Sequence, residues 1–116
     1  DGFGNQYFMD DANIPSLLSL PYLGYVEPTD PLYLATRKGV LSHSNPYFYS
    51  GSAASGIGGP HNGASYVWPM GLIMQAMTST NTTEIASLLT TIVASSDCTG
   101  LMHESFEADS FSSYTR

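Results

Sequence analysis

The sequence predicts an all-α fold of short helical hairpins joined by long glycine- and aromatic-rich loops. Three observations carry this prediction. Four segments pair a capping signal with apolar residues at helical spacing. No segment sustains the period-two alternation of a half-buried strand. Residues 42–66 hold five glycines among Tyr47, Phe48, Tyr49 and His61, and show no regular pattern.

The first predicted helix covers residues 13–23. Asp11 or Asn13 caps it, Pro15 suits its first turn, and Ile14, Leu17, Leu18 and Leu20 form its apolar face until Pro21 kinks or ends it. Asp30-Pro31, a cap followed by a proline whose missing N–H costs nothing there, opens the second, which reaches Leu41. Trp68-Pro69 opens the third, with Met70, Ile73, Met74 and Met77. The fourth has the clearest stripe, Ile85, Leu88, Leu89, Ile92 and Val93. Asn81 and Glu84, three residues apart, resemble a capping box at its start. Long loops without regular structure are usually functional or disordered, and the aromatic density of residues 42–66 argues against disorder. A second glycine-aromatic segment, residues 1–8, precedes the first helix. The loops are expected to converge on one face.

Composition excludes several classes of function. At 116 residues the chain has room for one domain with a modest core. Its net charge is −7, and Arg37, Lys38 and Arg116 are its only strongly basic residues. Such a surface repels phosphate backbones, so no nucleic-acid partner is expected. The apolar runs are too short for a spanning helix, and no membrane partner is expected either. Cys98 has no second cysteine to pair with and fits no metal-binding spacing. Asn81-Thr82-Thr83 is an N-glycosylation acceptor sequence and allows a secretory or extracellular location. Helix capping explains Asn81 equally well, and the compartment stays open.

Among candidate chemical groups, His103-Glu104 stands out. The pair sits between apolar Leu101-Met102 and Phe106, just after Gly100. A carboxylate partly shielded from water is a useful acid or base near neutral pH; the alternative is an ordinary ion-pair partner. His103-Glu104-Ser105-Phe106-Glu107 begins like a zincin helix, but Glu107 stands where the second histidine belongs. The three histidines could share a metal with Glu104, but their spacing forms no metal-binding pattern and no metal is expected. Gly56-Ile57-Gly58-Gly59-Pro60-His61 resembles a phosphate loop without its lysine or preceding strand. It reads better as a tight loop presenting His61 to a pocket, or else as a turn with an exposed histidine. The eight tyrosines, five phenylalanines and Trp68 suit sugar binding, since a sugar pairs an apolar face with a ring of hydroxyls, although core filling accounts for many of them.

These motifs taken in order, Met9-Asp10-Asp11-Ala12-Asn13-Ile14-Pro15, Asn45-Pro46-Tyr47-Phe48, Gly56 to His61, Trp68-Pro69-Met70, Thr99 to Phe106 and Tyr114-Thr115-Arg116, resemble glycoside hydrolase family 125, the exo-α-1,6-mannosidases. The resemblance implies an (α/α)6 barrel with the site at one end. It implies a metal-independent, cofactor-free, inverting hydrolase that removes terminal α-1,6-linked mannose from an α-mannoside oligosaccharide or N-glycan-derived mannan. In such chemistry one carboxylic acid protonates the leaving oxygen, and a carboxylate roughly 6.5–9.5 Å away activates water. Glu104 matches the general base. His61, Asp11, Asn13 and His103 are expected to line the mannose pocket.

The general acid of the family belongs to a segment upstream of Asp1, and an aromatic-rich helix follows the position of Arg116. Residues 1–116 are therefore expected to be a partial catalytic domain, truncated at both ends and inactive alone, with the Met70–Met77 and Ile85–Val93 stripes exposed. Asp10 and Asp11 would be poor substitute acids if a helix begins at them, because its positive end favours the ionised form. The alternative is a mannose-binding or structural remnant without chemistry.

Overall fold

The computed structural model describes residues 2–116. Three of the expected helices form: α1 (Pro31–Val40), α2 (Pro69–Met77) and α3 (Thr82–Ala94). Asp30 caps α1 by accepting from the N–H groups of Leu32 and Tyr33 at 2.8 and 3.1 Å. Asn81 caps α3 through Thr83 and Glu84 at 2.9 and 3.3 Å. The capping box is incomplete, because the Glu84 carboxylate turns instead to Arg37, Gln75 and Ser79.

The all-α expectation is overturned. The described residues also contain five strands: β1 (Phe48–Ser50), β2 (Ser55–Ile57), β3 (Tyr66–Val67), β4 (Ser105–Glu107) and β5 (Ser110–Thr115). They form an antiparallel pair, β1-β2, and a three-stranded antiparallel sheet in the order β3-β4-β5. The chain is a mixed α/β unit, and it does not show the helices-only hairpins of an (α/α)6 barrel. Four of the strands have two or three residues, too few to display a period. In β5 the register slips: Glu107 faces Ser110 while neighbouring Phe106 faces Tyr114, so alternation along this strand is broken.

The helix expected over residues 13–23 is replaced by turns. Side chains take the backbone groups that a helix would have used. Asp10 accepts from the N–H of Leu17 at 2.9 Å, and Ser19 accepts from the N–H of Ser16 while donating to its carbonyl, both at 2.9 Å. Such local bonds compete with helix formation.

The core has two parts. One gathers Ala12, Leu18, Val40, Ile57, Trp68 and Met74; the other gathers Ala54, Val67, Leu72, Leu88, Phe106 and Ala108. Helix α2 lies between them, giving Met74 to the first and Leu72 to the second, and it packs on α3. The two helical stripes are thus partly covered, with Met77, Leu89 and Val93 left exposed. Two connections pin the chain start. The Phe8 ring lies where a Cβ on Gly39 would come within 3.1 Å of it. Asn45, only 1% exposed, donates to the carbonyls of Asp10 and Val40 and accepts from the N–H of Asp10. No described helix is long and apolar enough to cross a membrane.

Candidate functional site

Three segments are joined into one candidate site. The first is the turn at Asp11–Asn13, where Asp11 accepts from the backbone and side-chain N–H groups of Asn13 at 2.9 and 3.0 Å. Between these two residues, the N–H of Ala12 donates to the carbonyl of Gly58 at 2.9 Å. This ties the turn to the second segment, the loop of residues 56–63.

The loop is shaped by its glycines. A Cβ on Gly58 would sit 1.9 Å from the Tyr66 carbonyl oxygen, so no side chain fits there. A Cβ on Gly59 would come within 3.1 Å of the Trp68 ring, and the His61 ring meets that indole in a T-shaped contact at 5.0 Å between centroids. His61 itself is exposed. Next to it, Asn62 donates to Ser105 Oγ at 2.9 Å and to Thr115 Oγ1 at 3.3 Å, which carries the connection to the third segment.

That segment is the β4–β5 hairpin. Glu104 lies just before β4, and its N–H donates to the Thr115 carbonyl at 3.1 Å. The Thr115 hydroxyl donates to Glu104 Oε2 at 3.2 Å. Oε1 has no hydrogen-bond partner among the described residues, and the side chain is exposed. A concavity of about 340 Å³ is lined by Thr99, Leu101, Met102, His103 and Arg116; Glu104 follows this lining in sequence without being part of it.

His61, Asp11, Asn13 and Glu104 are thus placed on segments bonded one to the next. His103 is placed differently. Its ring is buried, stacks on Tyr114 at 3.5 Å, and turns Nε2 to the Ser96 carbonyl at 3.2 Å, leaving Nδ1 as the nitrogen without a hydrogen-bond partner among the described residues. The pair His103-Glu104 stands before a strand rather than on a helix. No three His, Cys, Asp or Glu side chains among the described residues are grouped to hold a metal.

Asp10 corrects one expectation. No helix begins at it, and burial, the largest influence, raises its carboxyl above the ordinary value; the N–H groups of Leu17 and Leu18 oppose this, and the charge of Asp11 adds to it. Ser105 and Thr115 lie within the motifs that carry the family resemblance and Asn62 just after one, but sequence reasoning gave none of the three a role. They stand beside His61, Glu104 and Arg116, but nothing in their own pattern signals a shared hydrogen-bond chain.

The family model for metal-independent alpha-mannosidase (GH125) matches residues 1–116. The chain belongs to this family. It is 58% identical over 117 residues to the meiotically up-regulated gene 157 protein of Schizosaccharomyces pombe, a match that covers 100% of this chain and 23% of that protein. It also superposes on a metal-independent α-mannosidase of Streptococcus pneumoniae, solved in a non-productive complex with α-1,6-mannobiose. That match has a TM-score of 0.93 at 48% identity and covers 100% of this chain and 27% of that one. The chain therefore spans about a quarter of the length of these two proteins.

Proposed function

We propose that these residues form the water-activating side of an inverting exo-α-1,6-mannosidase, with Glu104 as general base. The observation that carries the reading is the Glu104 carboxylate: Thr115 holds one oxygen, the other has no hydrogen-bond partner among the described residues, and the residue is exposed. The open oxygen takes a proton from water, and the water oxygen attacks the anomeric carbon of the terminal mannose as the glycosidic bond breaks. A carboxylic acid outside these 116 residues protonates the departing oxygen, and the product is β-mannose. Support for an external acid comes from the share of its relatives that the chain spans, and support for the substrate from the mannobiose held by the pneumococcal relative. His61, Asp11 and Asn13 hydrogen-bond the mannose hydroxyls, and His103 does so through Nδ1. The substrates of the whole protein are α-mannoside oligosaccharides or N-glycan-derived mannan.

The test is hydrolysis of α-1,6-mannobiose by the full-length protein, followed by NMR of the anomer released. First-formed β-mannose supports inversion, and first-formed α-mannose refutes it. Glu104→Gln should lower kcat by about 10²–10⁴-fold, the usual contribution of general base catalysis. Turnover unchanged in that variant removes Glu104 from the role of base, whereas a full-length protein that binds mannose without hydrolysing mannobiose favours the remnant reading.

A further inference from the structure

We propose that Thr115 is the positioning residue for Glu104, and that Asn62 and Ser105 fix the direction in which its hydroxyl points. The inference rests on the reading of Glu104 as general base. Four side chains form a continuous chain: Asn62 Nδ2 to Ser105 Oγ at 2.9 Å, Ser105 Oγ to Thr115 Oγ1 at 2.7 Å, and Thr115 Oγ1 to Glu104 Oε2 at 3.2 Å. Asn62 Nδ2 also reaches Thr115 Oγ1 directly at 3.3 Å.

The direction of every bond follows from what each group can give. An ionised carboxylate only accepts, so the one proton of the Thr115 hydroxyl goes to Glu104. Thr115 Oγ1 must then accept from the Ser105 hydroxyl. Ser105 in turn accepts from Asn62, whose Nδ2 only donates. All donors point toward Glu104, and the chain has no freedom to reverse while the carboxylate is ionised. Ser105 is completely buried, so water does not compete for its hydroxyl. The main-chain bond from Glu104 N–H to the Thr115 carbonyl, within the Ser105–Thr115 strand pairing, holds the two residues in register. The result is a carboxylate with one oxygen anchored and its rotation about the terminal bond restricted, so that the other oxygen faces the water it must deprotonate. Asn62 neighbours His61, which makes the orientation of the base depend on the same loop that meets the sugar.

The experiment compares Thr115→Val, which keeps the shape and removes the hydroxyl, with Thr115→Ser, which keeps the hydroxyl and removes the methyl group. Both are made in the full-length protein alongside Glu104→Gln and assayed on α-1,6-mannobiose. Thr115→Val should lower kcat about 10–100-fold, as expected for misplacement of a catalytic group, while KM changes by less than about twofold. Thr115→Ser should recover most of the lost kcat. Asn62→Asp replaces the donor at the head of the chain with an acceptor, and should lower kcat in the same way even if Thr115→Val does not fold. Wild-type kcat in Thr115→Val, or in Asn62→Asp, overturns the proposal, as does a loss in a folded Thr115→Val that Thr115→Ser fails to restore. Full activity in Glu104→Gln instead removes the general-base assignment itself, an outcome distinct from the failure of the positioning role.

Discussion

The N–H of Ala12 donates to the carbonyl of Gly58 at 2.9 Å, and this bond joins the Asp11–Asn13 turn to the loop that ends at His61. Both segments are further held from below. A Cβ on Gly71, at the start of α2, would meet the Ile57 carbonyl at 3.1 Å and Ala12 Cβ at 3.4 Å. The polar residues proposed to contact mannose therefore rest on a close-packed floor of small residues rather than on a free loop.

His61 is expected to contribute to binding and little to folding. The residue is exposed, and its ring makes a T-shaped contact with Trp68. His61→Ala in the full-length protein should weaken mannose binding about tenfold, the loss of roughly one hydrogen bond to a sugar hydroxyl, with the melting temperature nearly unchanged. Isothermal titration with mannose and thermal unfolding measure the two effects. Equal affinity in the variant would reduce His61 to a turn residue.

Gly58 is expected to tolerate no side chain. A Cβ placed 1.9 Å from the Tyr66 carbonyl oxygen meets backbone, which cannot rotate aside. Gly58→Ala should cost about 3 kcal/mol as the loop is forced away from β3. Gly59→Ala, whose Cβ meets the Trp68 ring at 3.1 Å, should cost less, since an indole has more room to tilt than a peptide has to move. Denaturant unfolding of the two variants gives the ranking, and a reversed order would contradict the packing described.

Asn45 is a structural pin. Its amide donates to Asp10 and Val40 carbonyls at 2.8 and 3.0 Å and accepts from the N–H groups of Asp10 and Tyr47 at 3.2 and 3.3 Å. Asn45→Ala leaves these groups without their partner and should destabilise by about 3 kcal/mol. Asn45→Asp should be similarly harmful, because a carboxylate cannot donate to two carbonyls. Thermal unfolding of both variants is the measurement; a stable Asn45→Asp protein would show that the donor contacts contribute little.

Glu84 gives the stability an acid limb. Burial works to raise its carboxyl, but hydrogen bonds from Ser79, Gln75 and Arg37, with the charge of Arg37, outweigh it and hold the group below the ordinary value. A depressed carboxyl stabilises the folded state above the unfolded-state pKa of about 4.3, and this contribution fades as the pH falls through the lower folded value. Arg37 meets Glu84 at 3.0 Å and also donates to the Gln75 carbonyl, so the pair ties α1 to α2 and α3. Glu84→Gln should cost about 2 kcal/mol near neutral pH, and the gap to wild type should narrow in acid. A gap that stays constant from pH ~7 to ~3 would show that the ionised form carries no special stability.

The sequence by itself determined the three helices and the motifs of the candidate site. Asp30-Pro31, Trp68-Pro69 and Asn81 announced α1, α2 and α3 because a helix satisfies its backbone within four residues, so its signals lie close together in the chain. Gly58 was legible as part of a tight loop, but the shielding expected for Glu104 is absent, because the residue is exposed and so are Leu101 and Met102. Only the tertiary structure decided the sheet. Val67 pairs with Phe106 and Ser105 with Thr115, and strands of two or three residues have no period to read. Their stability comes from partners far along the chain, so no local window contains it. The turn at residues 13–23 was decided in the same way. Asn45 and Gly58 pin its entrance from distant parts of the sequence, while Asp10, Ser16 and Ser19 satisfy the backbone that an isolated peptide would have wound into a helix.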